Sequence, residues 1–390
     1  MKINFKKALV FNILIICSAP LFSQKNNFEE RLSFGQYEVG YKDTIVYDSS
    51  EIFSYNSYQG YKPYFTHIWY PCIKSNSESD HFKYTDYWEF HTSKENEELL
   101  KMLMQIYSSQ TFGSQNFPEI VLNQISSVNY RAPQLKNKLP IILYHHGSQG
   151  IGIENNKLCE YFASHGFVVI SPNFTLPSDI VTKLIPSSLF KSKFDLTNLN
   201  EEIMSKIDDE MSNAEFRNID FFFRAIKKLH LSSNEKIIGI GHSHGAQLLF
   251  LSDRDKIDRL DKVIALHTMY EEDKPSEICE IRPRDCEIIE RNKDFFSAPK
   301  YFIAPQFFRN DSIHRPDFTF HQKIPNSVFI ELKAPIQHNA FVYDWLIYNF
   351  SIGNTPKKAM FEYNEILKLC LSIIKNKHLK TNSFMIVSTN

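Results

Sequence analysis

The segment that decides the fold is residues 236–250, which read Lys-Ile-Ile-Gly-Ile-Gly-His-Ser-His-Gly-Ala-Gln-Leu-Leu-Phe. Its first half, Lys236 to Gly241, has the apolar character of a buried strand, and Gly245 to Leu251 is typical of a helix. Between them lies the pattern Gly-x-Ser-x-Gly, with Ser243 at its centre. A serine on a sharp turn from strand to helix presents its hydroxyl as a nucleophile. A serine that merely caps a helix after a glycine turn is the alternative.

Glycine is scarce elsewhere in the chain. Only 12 of the 390 residues are glycine, and half of them fall in two short segments, 147–152 and 239–245. An average protein contains about 7 per cent glycine. Because glycine permits positive φ and close approach of the backbone, these two segments are where we expect unusual turns.

Composition excludes several classes of protein. The chain is 43% hydrophobic and 23% charged, which allows a large core and argues against disorder. Its 44 Lys and Arg residues nearly balance 45 Asp and Glu residues, for a net charge of −1. No overall positive field is present to attract nucleic acid. We therefore expect a folded protein that does not bind nucleic acid.

Apolar strands alternate with helices on both sides of this segment. Strands are predicted at Leu139–Tyr144, Phe167–Pro172, Lys262–Leu266, Lys300–Ala304 and Ser327–Leu332, and helices at Asn155–His165, Asn213–His230, Phe341–Phe350 and Lys357–Lys377. Such strands, each followed by a helix, indicate a mostly parallel central sheet with helices on both faces, an α/β fold. Earlier in the chain, Gly35–Tyr47 and Tyr64–Tyr70 are strand-like and Ser93–Tyr107 is helix-like.

Two stretches interrupt this alternation. Residues 176–212 are long and polar, and we interpret them as an insertion that could form a lid. A second irregular insertion spans about 271–297. The prediction is one catalytic domain, residues 24–390, with two insertions.

The first 23 residues have the pattern of a secretory signal peptide. A basic start is followed by an apolar run from Ala8 to Phe22 and then by Ser23, after which we expect cleavage. Cys17 offers lipoprotein anchoring as an alternative, but the bulky Ile16 before it argues against that processing. We expect a secreted or periplasmic protein, in which Cys279 and Cys286 could form a disulfide.

A second glycine turn follows an earlier strand. Residues 144–150 read Tyr-His-His-Gly-Ser-Gln-Gly. The backbone N–H groups of Ser148 and of His244, the residue after Ser243, are predicted to form an oxyanion hole. A glycine-rich loop without a catalytic role is the alternative.

A histidine and a carboxylate are needed to activate a serine. His338 follows the strand Ser327–Leu332 in a loop that opens into a helix, and it is the predicted general base. The acid should lie between nucleophile and histidine in chain order. Asp311, after the strand Lys300–Ala304, is preferred, and Glu271 or Glu272 is the alternative.

These residues resemble the α/β-hydrolase superfamily, specifically its platelet-activating-factor-acetylhydrolase-like and dienelactone-hydrolase-like esterases. The resemblance rests on Ile68-Trp69-Tyr70-Pro71, His146-Gly147, the run from Ala163 to Val169, the Ser243 motif and His338, in this order. It implies hydrolysis of esters through an acyl-enzyme, with Ser243 as nucleophile, His338 as base, and no metal or organic cofactor.

The chain departs from this family at the acid. Acetylhydrolase-like members have an Ala-Leu-Asp type sequence after the strand that follows the nucleophile, whereas this chain has Ala265-Leu266-His267. In cutinase-like esterases the acid follows the next strand, which again favours Asp311. A metal held by His145, His146, His242, His244 and His267 is a weaker alternative, because no carboxylate pattern supports ligation.

Three functions remain in competition. An exported serine esterase is the leading hypothesis, with a phospholipid-type, short-chain acyl or polyester substrate. A serine peptidase of the same fold is the second. A binding protein that has lost activity is the third.

The sequence indicates no membrane-spanning segment after the signal peptide, and it leaves the oligomeric state open.

Overall fold

The computed structural model describes residues 33–55, 58–73, 82–89, 93–135, 138–148, 150–174, 216–226, 229, 236–252, 260–268, 279, 283–292, 298–305, 324–333, 337–353, 357–380, 382 and 384–389. The predicted signal peptide and the insertion at 176–212 lie outside these residues. Described residues from Phe34 onward belong to one unit.

A ten-stranded sheet organises the described chain. Its strands are β1 (Glu38–Tyr55), β2 (Tyr58–Cys72), β5 (Val128–Tyr130), β6 (Ile141–His145), β7 (Val168–Pro172), β8 (Ile237–His242), β9 (Lys262–Leu266), β10 (Lys300–Ala304), β11 (Ser327–Leu332) and β12 (Met385–Thr389). The order across the sheet is β12-β11-β10-β9-β8-β6-β7-β2-β1-β5. A separate two-stranded sheet pairs β3 (Phe82–Lys83) with β4 (Ile125–Ser126).

The centre of the large sheet is parallel. The neighbouring strands from β7 through β6, β8, β9 and β10 to β11 pair in parallel. Antiparallel pairs flank this centre, β2 with β7 on one side and β11 with β12 on the other. Every residue of β6, β7, β8 and β9 is buried, so both faces of these strands are covered. The predicted α/β architecture is confirmed.

The described helices lie between the strands along the chain. They are α1 (Lys94–Phe112), α2 (Glu119–Leu122), α3 (Asn156–Ser164), α4 (residues 216–226), α5 (Ser243–Leu251), α6 (Pro283–Asn292), α7 (Tyr343–Ser351) and α8 (Lys357–Ile374). At the start of α1 the Ser93 side chain accepts a hydrogen bond from the Asn96 amide, and at its end Gly113 has a φ of 69°. None of the helices among the described residues has the length and apolarity needed to cross a membrane.

The structure corrects the predicted end of the sheet. The prediction made Ser327–Leu332 its last strand, but β12 pairs antiparallel with it from Val328 to Leu332. Residues 385–389 read Met-Ile-Val-Ser-Thr, too short a run near the terminus to distinguish from a tail by periodicity.

The insertion at 271–297 is less irregular than predicted. Its described part contains the ten-residue helix α6. Cys279 and Cys286 form a disulfide with their Cα atoms 5.6 Å apart, which ties this helix to the residues before it. Cys72, Cys159 and Cys370 are free and buried, as expected for small apolar side chains.

Asn155, at the start of α3, joins four segments of the core. Its amide nitrogen donates to the Phe341 carbonyl at 2.8 Å and to the Tyr144 hydroxyl at 3.1 Å. Its amide oxygen accepts from the Tyr343 backbone N–H at 3.3 Å and from the Tyr363 hydroxyl. The Asn155 side chain is fully buried. It therefore fixes the segment around residue 341 against the end of β6.

Replacing Asn155 with alanine is expected to lower the free energy of unfolding by about 3 kcal/mol, because several buried groups lose a partner and each unmet group costs about 1–3 kcal/mol. Urea denaturation followed by circular dichroism measures this change. Asn116→Ala, which removes an exposed amide after α1, is the matched control and should change stability by less than about 0.5 kcal/mol. Equal effects of the two substitutions would contradict the role given to Asn155.

Candidate active site

Ser243 lies at the turn between β8 and α5 in a strained backbone conformation. Its φ is 52°, in the left-handed region that non-glycine residues seldom adopt. A Cβ on Gly241 would lie 2.6 Å from the Ala246 nitrogen, and one on Gly245 would lie 2.2 Å from the His146 carbonyl oxygen. Both glycines are thus required by contacts with backbone, as the motif predicts.

The glycine turn after β6 lies directly against this serine. A Cβ added to Gly147 would be 3.4 Å from the Ser243 Cβ and 3.0 Å from His242 Nδ1. The Gly147 N–H donates to Glu154 Oε1 at 3.3 Å. The next amide along the turn belongs to Ser148, an exposed residue that lines the same cavity as Ser243. Ser148 thus shares the cavity of Ser243, and its oxyanion role stays a prediction.

His146 fixes the conformation of that turn. Its Nδ1–H donates to the Gly147 carbonyl at 2.8 Å, and its Nε2 accepts from the Phe174 backbone N–H at 2.9 Å. Burial lowers the pKa of His146 to about 4. The ring is therefore neutral at physiological pH, in the one tautomer that satisfies both backbone groups.

The predicted second oxyanion residue, His244, lies in the first turn of α5. The N–H groups of a first helical turn have no acceptor within the helix. The His244 ring points to its own helix, where Nδ1–H donates to Gln247 Oε1 at 3.2 Å. Only the backbone of His244 is therefore placed for the predicted role.

His338 begins the 3₁₀ turn His338–Phe341, after β11 and before α7. The ring centroids of His338 and His242 are 4.6 Å apart. His242 Nε2–H donates to the His338 backbone carbonyl at 3.2 Å, which fixes the start of this turn. The structure brings His338, Ser243 and Ser148 to one cavity, as the sequence predicts.

The predicted acid and its alternatives lie outside the described residues: Asp311, Glu271 and Glu272. Their assignment stays a prediction. What the structure does show beside His338, the predicted base, is His267, the residue after β9. His338 Nδ1 and His267 Nδ1 are 2.8 Å apart, and the ring centroids are separated by 4.6 Å.

The cavity has a volume of about 290 Å³. Its floor is formed by the turns that carry Gly147 and Ser243, and its walls come from α1 and α7 together with the residues that precede α7. The wall residues are Tyr107, Gln110, Thr111, Asn339, Val342 and Trp345. The sequence alone does not predict these residues. Nothing in the pattern of α1 indicates that it packs beside Ser243 and His338, which come much later in the sequence.

Glu154 is a buried carboxyl group in this cavity that sequence reasoning also missed. Its Oε1 accepts from the Tyr144 hydroxyl at 3.0 Å as well as from Gly147 N–H. Burial raises the pKa of Glu154 to about 8, so the carboxyl group is protonated at neutral pH. The only available signal was an acidic residue directly after the run Gly150-Ile151-Gly152-Ile153, which has no polar side chain.

The histidines near the site do not form a metal centre within the described part of the chain, where no group of three metal-ligating side chains converges. Several have their ring nitrogens committed to backbone carbonyls, as His145 does toward the His146 oxygen at 2.8 Å. Burial lowers the pKa of His145, His146 and His242, so these three rings are neutral hydrogen-bonding groups at physiological pH.

Gly245→Ala is expected to destabilise the protein by at least about 3 kcal/mol, because the new Cβ meets the His146 carbonyl and must displace backbone. Soluble yield and thermal unfolding measure this. The control Gly239→Ala lies on β8, six residues before Gly245, and its Cβ would meet only side-chain atoms of Leu249 and Leu260, at 3.5–3.6 Å. The steric explanation is wrong if both variants behave alike.

Glu154→Gln is expected to gain stability over the parent protein as pH rises. The folded protein keeps a proton on Glu154 up to about pH 8, whereas the unfolded chain releases it near pH 4.5. The contribution of Glu154 is therefore complete below about pH 4.5 and is lost as pH rises through about 8. Glutamine, which cannot ionise, avoids this loss, so the difference grows by at most about 1.4 kcal/mol per pH unit.

Denaturation of both proteins at pH 5, 7 and 9 measures the effect of Glu154→Gln. The exposed Glu119→Gln on α2 is the control, and it should show no such trend. A Glu154→Gln difference that is constant from pH 5 to 9 would contradict the protonated state.

The chain resembles known proteins in family and in fold. No curated protein sequence matches the chain. Among solved structures, the chain is similar to a ferulic acid esterase from Streptomyces cinnamoneus, with a TM-score of 0.53 and 13% identity over 92% of this chain and 98% of that one. It also matches a dienelactone hydrolase-like promiscuous phosphotriesterase from metagenomic libraries, with a TM-score of 0.41 and 7% identity over 85% of this chain and 98% of that one.

Similarities at such identities show the fold and nothing finer. The stronger result is the family model for platelet-activating factor acetylhydrolase, isoform II, which matches residues 22–270. That match covers more than half of the chain and includes the Ser148 turn, the Ser243 motif and His267. The chain is an esterase-like hydrolase of the α/β-hydrolase fold, and it belongs to the platelet-activating factor acetylhydrolase isoform II family.

Proposed function

We propose that the protein is an exported serine esterase that cleaves carboxylic esters through an acyl-enzyme on Ser243. One observation carries this proposal. Ser243, with a φ of 52° at the start of a helix, shares one cavity with the Ser148 turn and with His338. Strain of this kind is retained where the surrounding structure requires it, which is typical of active sites.

The reaction follows from these positions. His338 accepts the Ser243 hydroxyl proton as the oxygen attacks the ester carbonyl carbon, and the carbonyl oxygen becomes negative. Backbone N–H groups of Ser148 and His244 stabilise that charge, helped by the N-terminus of α5. His338 then gives its proton to the departing alcohol. Water, activated by His338, attacks the acyl carbon and releases the acid and the serine.

The substrate proposal rests on the cavity and the family. A cavity of about 290 Å³ suits a short acyl group, and the family description names an acetylhydrolase. We place phospholipid-type esters with a short acyl chain first, and other short-chain esters next. Tyr107 and Trp345 supply the apolar part of the wall, and Gln110 and Thr111 supply polar groups.

Ser243→Ala is expected to abolish both labelling by a fluorophosphonate probe and hydrolysis of p-nitrophenyl acetate, because no other group forms the acyl-enzyme. Loss of His338 should lower kcat by on the order of 10⁴ or more. The control is Ser252→Ala at the other end of α5, where the hydroxyl bonds to the Leu249 carbonyl. Full activity of Ser243→Ala would refute the serine mechanism.

A series of p-nitrophenyl esters from acetate to laurate, with a matching anilide, separates the competing functions. We expect acetate and butyrate to be hydrolysed fastest and the anilide hardly at all. Rapid anilide cleavage would favour a peptidase, and absence of both labelling and turnover in the mature chain would favour a binding protein.

N-terminal sequencing of exported protein tests the signal peptide, with Gln24 as the expected first residue.

A further inference from the structure

A buried histidine contacts His338 at the cavity. His267 is 1% exposed and follows β9 with a φ of 50°, another left-handed conformation at a non-glycine residue. Its backbone N–H donates to the Ile303 carbonyl at 2.8 Å, which fixes the residue to β10. The turn aims its ring at the 3₁₀ turn that carries His338, where the two Nδ1 atoms are 2.8 Å apart.

Two neutral imidazoles in this geometry must share one proton between the Nδ1 atoms. For His338 to accept a proton from Ser243 through Nε2, its own proton must be on Nδ1. His338 Nδ1–H then donates to His267 Nδ1, whose ring carries its proton on Nε2. The 2.8 Å contact accommodates the tautomer of His338 that can act as a base.

We propose that His267 is the positioning residue of the base: its imidazole holds His338 in the reactive tautomer and orientation, the role that a carboxylate has in a Ser-His-Asp arrangement. This inference rests on the proposed serine mechanism. It differs from the sequence prediction, which gave that role to Asp311. At position 267 the sequence by itself shows only that a histidine stands where related enzymes have an aspartate.

The surroundings of the pair fit a neutral acceptor. Phe341 packs over His267, with ring centroids 6.0 Å apart. The titratable groups near the pair in the described chain include His242, whose ring centroid is 4.6 Å from that of His338 and whose pKa burial holds well below its usual value. Glu154, protonated at neutral pH, lines the same cavity as His338. An ionised carboxylate in place of His267 would have to be desolvated here, whereas an imidazole is not charged.

A neutral acceptor has a consequence that a carboxylate lacks. It orients His338 but stabilises the charged imidazolium only weakly, so the pKa of His338 is raised less than a carboxylate would raise it. Since kcat/KM requires neutral His338, its acid limb should lie at lower pH in the parent protein than in a His267→Asp variant. The sign of this shift separates positioning by histidine from a purely structural role.

The experiment compares His267→Ala and His267→Asp with the parent protein on p-nitrophenyl acetate over pH 5–9. His267→Ala should lower kcat by about 100-fold or more with little change in KM. His267→Asp should recover activity to within about tenfold of the parent, with the acid limb of kcat/KM about one pH unit higher or more. His165→Ala, a half-buried histidine at the end of α3, is the matched control and should keep parental kinetics.

The variant Asp311→Asn tests the alternative, in which Asp311 is the residue that positions His338. The inference is overturned if His267→Ala stays within threefold of the parent while Asp311→Asn loses at least 100-fold. Fluorophosphonate labelling of Ser243 keeps this failure apart from failure of the esterase proposal. If Ser243→Ala is inactive and His267→Ala is normal, only the inference is wrong; if Ser243→Ala is active, the serine mechanism itself is wrong.

A measurement on the unmodified protein covers the case in which His267→Ala does not fold. In protein labelled with ¹⁵N-histidine, the His338 Nδ1 proton should give a low-field resonance correlated to a protonated nitrogen, and His267 Nδ1 should appear unprotonated. Spectra of His338→Ala and His267→Asp assign the signals. A His267 protonated at Nδ1 near pH 7 would overturn the proposed direction of the hydrogen bond.

Discussion

The site depends on close contact between two backbone turns at the edge of the parallel sheet. The turn around Ser243 and the turn from His145 to Gly147 touch with no room for a Cβ at Gly245, where the His146 carbonyl is 2.2 Å away. This contact brings Gly147 against Ser243 and puts Ser148 in the same cavity. It also explains why a chain so poor in glycine concentrates it in these two segments, because only glycine allows two backbones to approach so closely.

The parallel centre of the sheet brings the remaining groups to the same edge. Strands β6, β8, β9 and β11 run in one direction, so the residues that follow each of them, from His146 to Ser243, His267 and His338, meet at the carboxyl ends. Asn155 then anchors the segment around Phe341 to the end of β6. The position of the predicted base, His338, thus depends on a fully buried amide outside the predicted catalytic residues.

Local patterns in the sequence sufficed for the fold and for part of the site. The strands at 262–266, 300–304 and 327–332 were predictable because each is an apolar run bounded by turn residues, and Ser243 because its motif carries its own strand and helix. The walls from α1 were not predictable, since their place over the cavity is decided by tertiary packing. The pairing of His267 with His338 was not predictable either, because a contact between residues 71 positions apart leaves no periodic signal.

The electrostatics of the site favour a neutral side chain such as His267 at the position beside His338, where related enzymes have a carboxylate. Burial lowers the pKa of His145, His146 and His242 and raises that of Glu154, so that all four are neutral at physiological pH. In such surroundings, a charged partner for His338 would be held at a high desolvation cost throughout the resting state. In the mechanism we propose, a neutral imidazole avoids this cost and still selects the reactive tautomer. Its weaker stabilisation of the imidazolium would keep His338 unprotonated at lower pH and so extend the pH range over which Ser243 can be activated.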